Sequence, residues 1–209
     1  DQCKDFYNCE GVKFTAPVYT ESDIAILNSK IHLNPLPVLT SDPYETPELY
    51  PLEEEKACGL IWDTLNPDAY TLETFDSIIE AELAGARVTH TGACGHCSSL
   101  QSLAVYIYQG DLATPVKKCT LDSILMGDDY LMECLQKLGF DENCAKIWMY
   151  NGKNTKKECM TTCLPLQNAV YHKSDGSLND CIQCDEDKSG PVFQAVSGRT
   201  RRNSGLPTA

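Results

Sequence analysis

Apolar positions along this chain follow two regimes that meet near residue 52. In the first regime, prolines at 17, 35, 37, 43, 47 and 51 interrupt the apolar runs, so residues 1–56 read as an extended, loop-rich arm. Val12 and Phe14 alternate with polar residues and predict one short strand, while 23–31 fits strand and helix equally. In the second regime the spacing is helical. Residues 52–64 predict a helix with Glu53, Glu54 and Glu55 in its first turn, and Thr71 is placed to cap a second, with Leu72, Phe75, Ile79 and Leu83 on one face and Gly85 as its stop. Residues 86–93 read as a loop or short strand. Across 98–109, Leu100, Leu103, Ala104 and Ile107 fall at i, i+3, i+4 and i+7, and Gly110 ends the run. The next helical stretch, 120–138, is broken at Gly127-Asp128-Asp129 and puts Leu131, Cys134, Leu135 and Leu138 on one face before Gly139. Asp141 is placed to cap a helix burying Cys144, Ile147 and Trp148, and 155–163 predicts another with Cys159 and Cys163 on one side. The tail from Leu164 reads as loop. The expected fold is mainly α: a cysteine-rich helical domain over 57–209, an arm over 1–56, and room for one short strand pair.

Cysteine usage changes this picture most. The twelve cysteines, at 3, 9, 58, 94, 97, 119, 134, 144, 159, 163, 181 and 184, spread along the chain and several fall on the apolar faces of the helices. An even, dispersed set predicts a framework of five or six disulfides in an oxidising compartment, with Cys3 and Cys9 tying the arm to the body. The chain opens at Asp1 without Met, as a processed secreted or lumenal protein would, and no apolar run approaches the length of a membrane span. The formal charge of −13 argues against binding to nucleic acid or anionic membrane by the molecule as a whole. A protein or a small anionic ligand is the expected partner, and no cofactor motif is present. The leading functional expectation is a secreted, acidic, disulfide-stabilised protein with a binding or structural role.

Two phrases carry candidate chemistry. The first is Gly92-Ala93-Cys94-Gly95-His96-Cys97, directly ahead of the 98–109 helix, where a thiol feels the positive end of the helix dipole and ionises more easily. Four readings are open. Cys94 and Cys97 each bridge to distant cysteines; or Cys97 is a nucleophile with His172 or His96 as base; or Cys94 and Cys97 form a redox pair; or His90, Cys94, His96 and Cys97 offer nitrogen and sulfur to a metal, although ligands at 94, 96 and 97 are crowded and no metal is expected. Residues 92–100 resemble the papain-type cysteine signature, which implies Cys97 as nucleophile and Cys94 as a structural half-cystine; Ser98 and Thr91 stand where that family has an aromatic residue and a glutamine. Residues 94–97 match the active-site tetrapeptide of protein disulfide isomerases, which implies a redox role for Cys94 and Cys97; Ala93 replaces the tryptophan typical there.

The second phrase is Ser197-Gly198-Arg199-Thr200-Arg201-Arg202-Asn203-Ser204-Gly205. It holds three of the four arginines, in a form suited to a bound anion, to dibasic cleavage after Arg202, or to an internal clamp on acids such as Asp185, Glu186 and Asp187. Taken with the first phrase, it is similar to uncharacterised cysteine-rich secreted proteins of algae and related protists, a resemblance that implies no activity.

Overall fold

The computed structural model describes residues 8–9, 12–13 and 18–206. The body is mainly helical and stapled by disulfides, and it also holds a four-stranded sheet, more β-structure than the single strand pair expected from the sequence. Strands β1 (Asn8–Cys9) and β2 (Val12–Lys13) pair antiparallel, so the strand expected at Val12 is present; Phe14, Cys3 and the Cys9 side chain lie outside the described residues. The ambiguous 23–31 stretch resolves into helix α1 (Glu21–Ser29), fixed by a Thr20–Asp23 capping box, and the two-residue strand β3 (Ile31–His32).

The larger sheet runs β3-β5-β4-β6. Its central strand pair is β4 (Ala57–Trp62) against β5 (Ala69–Phe75); β4 is antiparallel to β5 and to β6 (Arg87–Thr91), and β3 is parallel to β5. It corrects two helix expectations. The stretch 52–64 contains β4, whose first four residues are all buried; such a short apolar run has no periodicity to separate strand from helix. Gly59 belongs there because a Cβ would sit 2.5 Å from the Phe75 ring. The 71–83 stretch splits into β5 and the short helix α2 (Ile78–Leu83), capped by Ser77 and not by Thr71. Ile79 and Leu83, read as one buried face with Leu72 and Phe75, are exposed. Asn34 extends the sheet edge by a side chain: its amide donates to the Leu72 carbonyl and accepts from the Leu72 N–H, both at 2.9 Å, as a strand residue would.

The helical half follows the sequence more closely. α3 (Leu100–Tyr108) starts at Ser99, and α4 (Ala113–Met126) meets α5 (Asp128–Lys137) at Gly127, whose φ of 86° only glycine adopts readily. α6 (Glu142–Cys163) is capped by Asp141 and absorbs the separate helix expected over 155–163. The tail is a correction: α7 (Asp180–Lys188) and α8 (Gly190–Ser197) replace the expected loop. α7 has little apolar stripe to reveal it, because two disulfides, Cys159–Cys184 and Cys163–Cys181, hold it on α6 where leucines would otherwise be needed.

The main core gathers α3, α5, α6 and α8 around Tyr106, Leu131, Leu135, Ile147 and Phe193, each fully buried aliphatic contributing roughly 1.5–3 kcal/mol. Leu39, Tyr44 and Tyr50 of the N-terminal segment pack on this core, and the Asn143 amide donates to Leu36 O at 2.7 Å. A second cluster joins Cys58, Leu60, Tyr70 and Leu72 of the sheet to Leu100 of α3. No helix among the described residues is long and apolar enough to cross a membrane.

Candidate functional site

The two phrases singled out in the sequence are far apart along the chain and mated face to face in space. The N–H groups of His96 and Cys97 donate to the carbonyls of Val196 (3.0 Å) and Ser197 (2.8 Å). The backbones touch so closely that a Cβ on Gly95 would meet Val196 O at 2.4 Å, and one on Gly198 would meet Gly95 N at 2.4 Å. Gly198 also has a φ of 72°, so glycine serves here both for conformation and for contact.

Disulfides pin this knot on both sides. Cys94 is bonded to Cys58 of β4, and Cys97 to Cys144 of α6. Cys97, Cys58 and Cys144 are fully buried. The two sulfurs of the CGHC tetrapeptide therefore lie in different bridges and are not bonded to each other. Each thiol reading needs a free or mutually paired sulfur at 94 or 97, and here that state requires prior reduction. The Cys119–Cys134 bridge joins α4 to α5, and among the described residues no cysteine is free.

Arg199 sits at the centre of the knot with no exposed surface. Its guanidinium has five N–H donors, and five oxygens receive them. Nε donates to Cys97 O at 3.2 Å; Nη1 donates to Thr89 O at 3.1 Å and Ser204 Oγ at 3.0 Å; Nη2 donates to Thr89 Oγ1 at 2.5 Å and Ser98 O at 3.1 Å. All five acceptors are neutral. Burial pulls the guanidinium down to about 10, with the Tyr106 and Tyr70 hydroxyls opposing the shift. Because Thr89 lies on edge strand β6, Arg199 and the Asn203 amide, which donates to Thr91 O at 2.8 Å, cover that edge as a neighbouring strand would.

His90 completes the interior. Its Nε2 lies 2.7 Å from Ser98 Oγ and its Nδ1 2.9 Å from Thr91 O, a carbonyl that can only accept. The proton is therefore assigned to Nδ1, and Ser98 donates to Nε2 while accepting the Gly95 N–H at 2.8 Å. Burial, with the adjacent Arg199 charge second, depresses the imidazole to about 3 and keeps it neutral. The Ser–His pair has the hydrogen bond of a nucleophile and its base, but Ser98 is completely enclosed, so substrate has no approach to it.

The remaining site residues fall elsewhere. His96 lies at the rim of the knot, where burial lowers its pKa and the Asp141 charge partly restores it. His172 is exposed on a separate cleft of about 760 Å³ between α4 and residues 167–172, lined also by Lys117, Lys118 and Tyr171, so it is not brought to Cys97. Arg201 donates to the carbonyls of Tyr106 (2.6 Å) and Gln109 at the C-terminus of α3, a cation on the negative end of a helix. Arg202 pairs with Glu186 at 2.7 Å. The clamp thus holds mainly backbone oxygens, and one acid. Among the described residues, no three His, Cys, Asp or Glu side chains converge as a metal ion would need. Sequence reading missed Thr89, the Ser98–His90 hydrogen bond and the strand-edge role of Asn203: it weighed His90 only as a metal ligand and named Ser98 and Asn203 only within the two phrases.

Comparison with known proteins returns one family model, described as a family of unknown function (DUF8771), over residues 128–209, less than half of the chain. No curated protein and no solved structure matches. The matched stretch is not structurally closed: Cys134 and Cys144 bond to Cys119 and Cys97 before it, and its 196–206 segment is half of the knot.

Proposed function

We propose that the protein is a secreted or lumenal scaffold, locked by disulfides, that works through noncovalent binding at its surface and not through sulfur chemistry. The observation that supports this reading is the double anchoring of the CGHC phrase: Cys94 and Cys97 are committed to separate bridges, and Arg199 beneath them donates to the carbonyls of Cys97 and Ser98. On this reading, the likeness of residues 92–100 to the papain-type signature and of 94–97 to the disulfide-isomerase tetrapeptide is a likeness of spelling: the glycines permit backbone contact and the cysteines fasten it. Five bridges among the described residues suit an oxidising compartment, and each contributes roughly 2–4 kcal/mol, mainly by restricting the unfolded chain. The α4 cleft, where Lys117 and His172 stand beside a Lys118–Asp122 ion pair, is where a small anionic ligand would seat in a chain of formal charge −13. A thiol-dependent activity would first require reduction of the buried Cys97–Cys144 bridge. Alkylation of the native, non-reduced protein tests the reading by intact mass: the expected result is no adduct on Cys94 or Cys97, before or after denaturation, and rapid labelling of Cys97 in the folded state would overturn it.

A further inference from the structure

The cleft beside α4 is held open between two stitches. Lys117 and Leu121 line its helix wall, and residues 167–172, with Ala169 and Val170 at their middle, form the other. At one stitch Lys117 Nζ donates to Gln167 O at 2.6 Å; at the other the Thr114 and Tyr171 hydroxyls share a hydrogen bond. The Asn179 amide donates to Val170 O at 2.7 Å and fixes the backbone there, yet Val170 is 78% exposed. Leu121 is half-buried, and Leu125, one turn further along α4, is 91% exposed. Lys117, Leu121 and Leu125 therefore slant along one side of the helix over an axial distance of about 12 Å.

The charges beside this apolar strip do not cancel. An ammonium has three N–H donors, and Lys117 uses one on a neutral carbonyl. No carboxylate pairs with it among the described residues. Lys118, by contrast, is answered by Asp122 at 2.5 Å, and Tyr130 OH donates to the same carboxylate at 3.2 Å. Asp111 stands at the Tyr171 end, 3.5 Å from that hydroxyl, so a negative head belongs at Lys117 and not there.

We propose that the cleft binds an amphipathic monoanion, a medium-chain acyl carboxylate with its head on Lys117 and its tail along Leu121, Val170 and Leu125. This rests on the small-anion reading of the same cleft and names the class. A volume of about 760 Å³ falls within the range of small-molecule sites. One ammonium is a point charge without the planar fork that grips phosphate or sulfate at two oxygens, so a single-headed anion suits it. The strip gives nothing to a small hydrated anion, whereas an acyl tail laid on it removes the exposed faces of Val170 and Leu125 from water. Affinity then comes mainly from the tail and orientation from the head.

Amide-resolved NMR titration of the full-length, disulfide-intact protein tests this with acetate, inorganic phosphate, octanol, and hexanoate, octanoate and decanoate below their micelle concentrations. The amides of 167–172 and of α4 locate binding. Affinity should rise by about two- to threefold per methylene from hexanoate to decanoate. Octanol should bind about fivefold more weakly than octanoate, and Lys117→Gln, which keeps a donor for Gln167 O, should erase that difference. Val170→Asp, at an exposed position that the fold does not depend on, should weaken decanoate at least about tenfold. Equal affinity along the acyl series, or decanoate binding unmoved by Val170→Asp, would overturn the inference. Acetate or phosphate binding here as tightly as decanoate would overturn it too, while leaving the small-anion reading in place. No response of these amides to any probe would overturn both.

Discussion

Arg199 and Arg202 stand three residues apart in one phrase, yet the protein meets their two charges in opposite ways. A guanidinium does not give up its proton under ordinary conditions, so it must be met by acceptors, and the knot supplies one neutral oxygen for each of its five N–H groups. Arg202, at the half-exposed rim, instead pairs with the Glu186 carboxylate at 2.7 Å, where water shares the solvation of both charges. The first arrangement resists pH because its charge is fixed and fully bonded. The second contributes less, because an ion pair open to solvent is screened by water and salt. A buried charge is therefore read best by counting hydrogens before looking for an opposite charge.

The largest effect is expected at the fixed centre. Arg199→Met keeps much of the side-chain volume but leaves the carbonyls of Thr89, Cys97 and Ser98 without their donors, inside a knot that has no solvent to replace them. Denaturant titration should show a loss of more than about 3 kcal/mol, or no folded protein. Arg199→Lys should recover little, because an ammonium has three donors in a different geometry. A loss below about 1 kcal/mol for either variant would mean that the disulfides alone hold the two phrases together.

A smaller effect is expected at the knot's own titratable group. His90, depressed to about 3, stays neutral while an unfolded imidazole charges near 6.5. Its folded-state value is lowered, so the unfolded state binds more protons across that window and stability falls as pH drops from 6.5 toward 3, by up to about 1.4 kcal/mol per pH unit. His90→Gln should flatten the acid side of the stability profile. If His90→Gln leaves the acid slope unchanged, the knot admits water and protons in the folded state.

The contrast between regions also explains what the sequence made legible. Helices α3, α5 and α6 were readable because Leu100, Leu131, Leu135 and Ile147 fall on their buried faces and Gly110, Gly139 and Asp141 punctuate the ends. β4 was not, because Ala57–Leu60 is buried on both faces and shows no period. β5 was hidden by Leu72, Phe75, Ile79 and Leu83, whose helical spacing is accidental: the first two belong to a strand and the last two face solvent. α7 was hidden because disulfides replaced its apolar stripe. In the knot, both phrases stood out by composition, but their mating joins Gly95 to Gly198 across the chain, and local spacing carries no information about such a contact.

Disulfide mapping of the native protein, by proteolysis without reduction and mass spectrometry of the linked peptides, tests the locked scaffold most directly. Cys58–Cys94 and Cys97–Cys144 are the linkages predicted for the CGHC phrase. A Cys94–Cys97 bridge, or an unpaired Cys97, would contradict the scaffold and restore sulfur chemistry as the function of this motif.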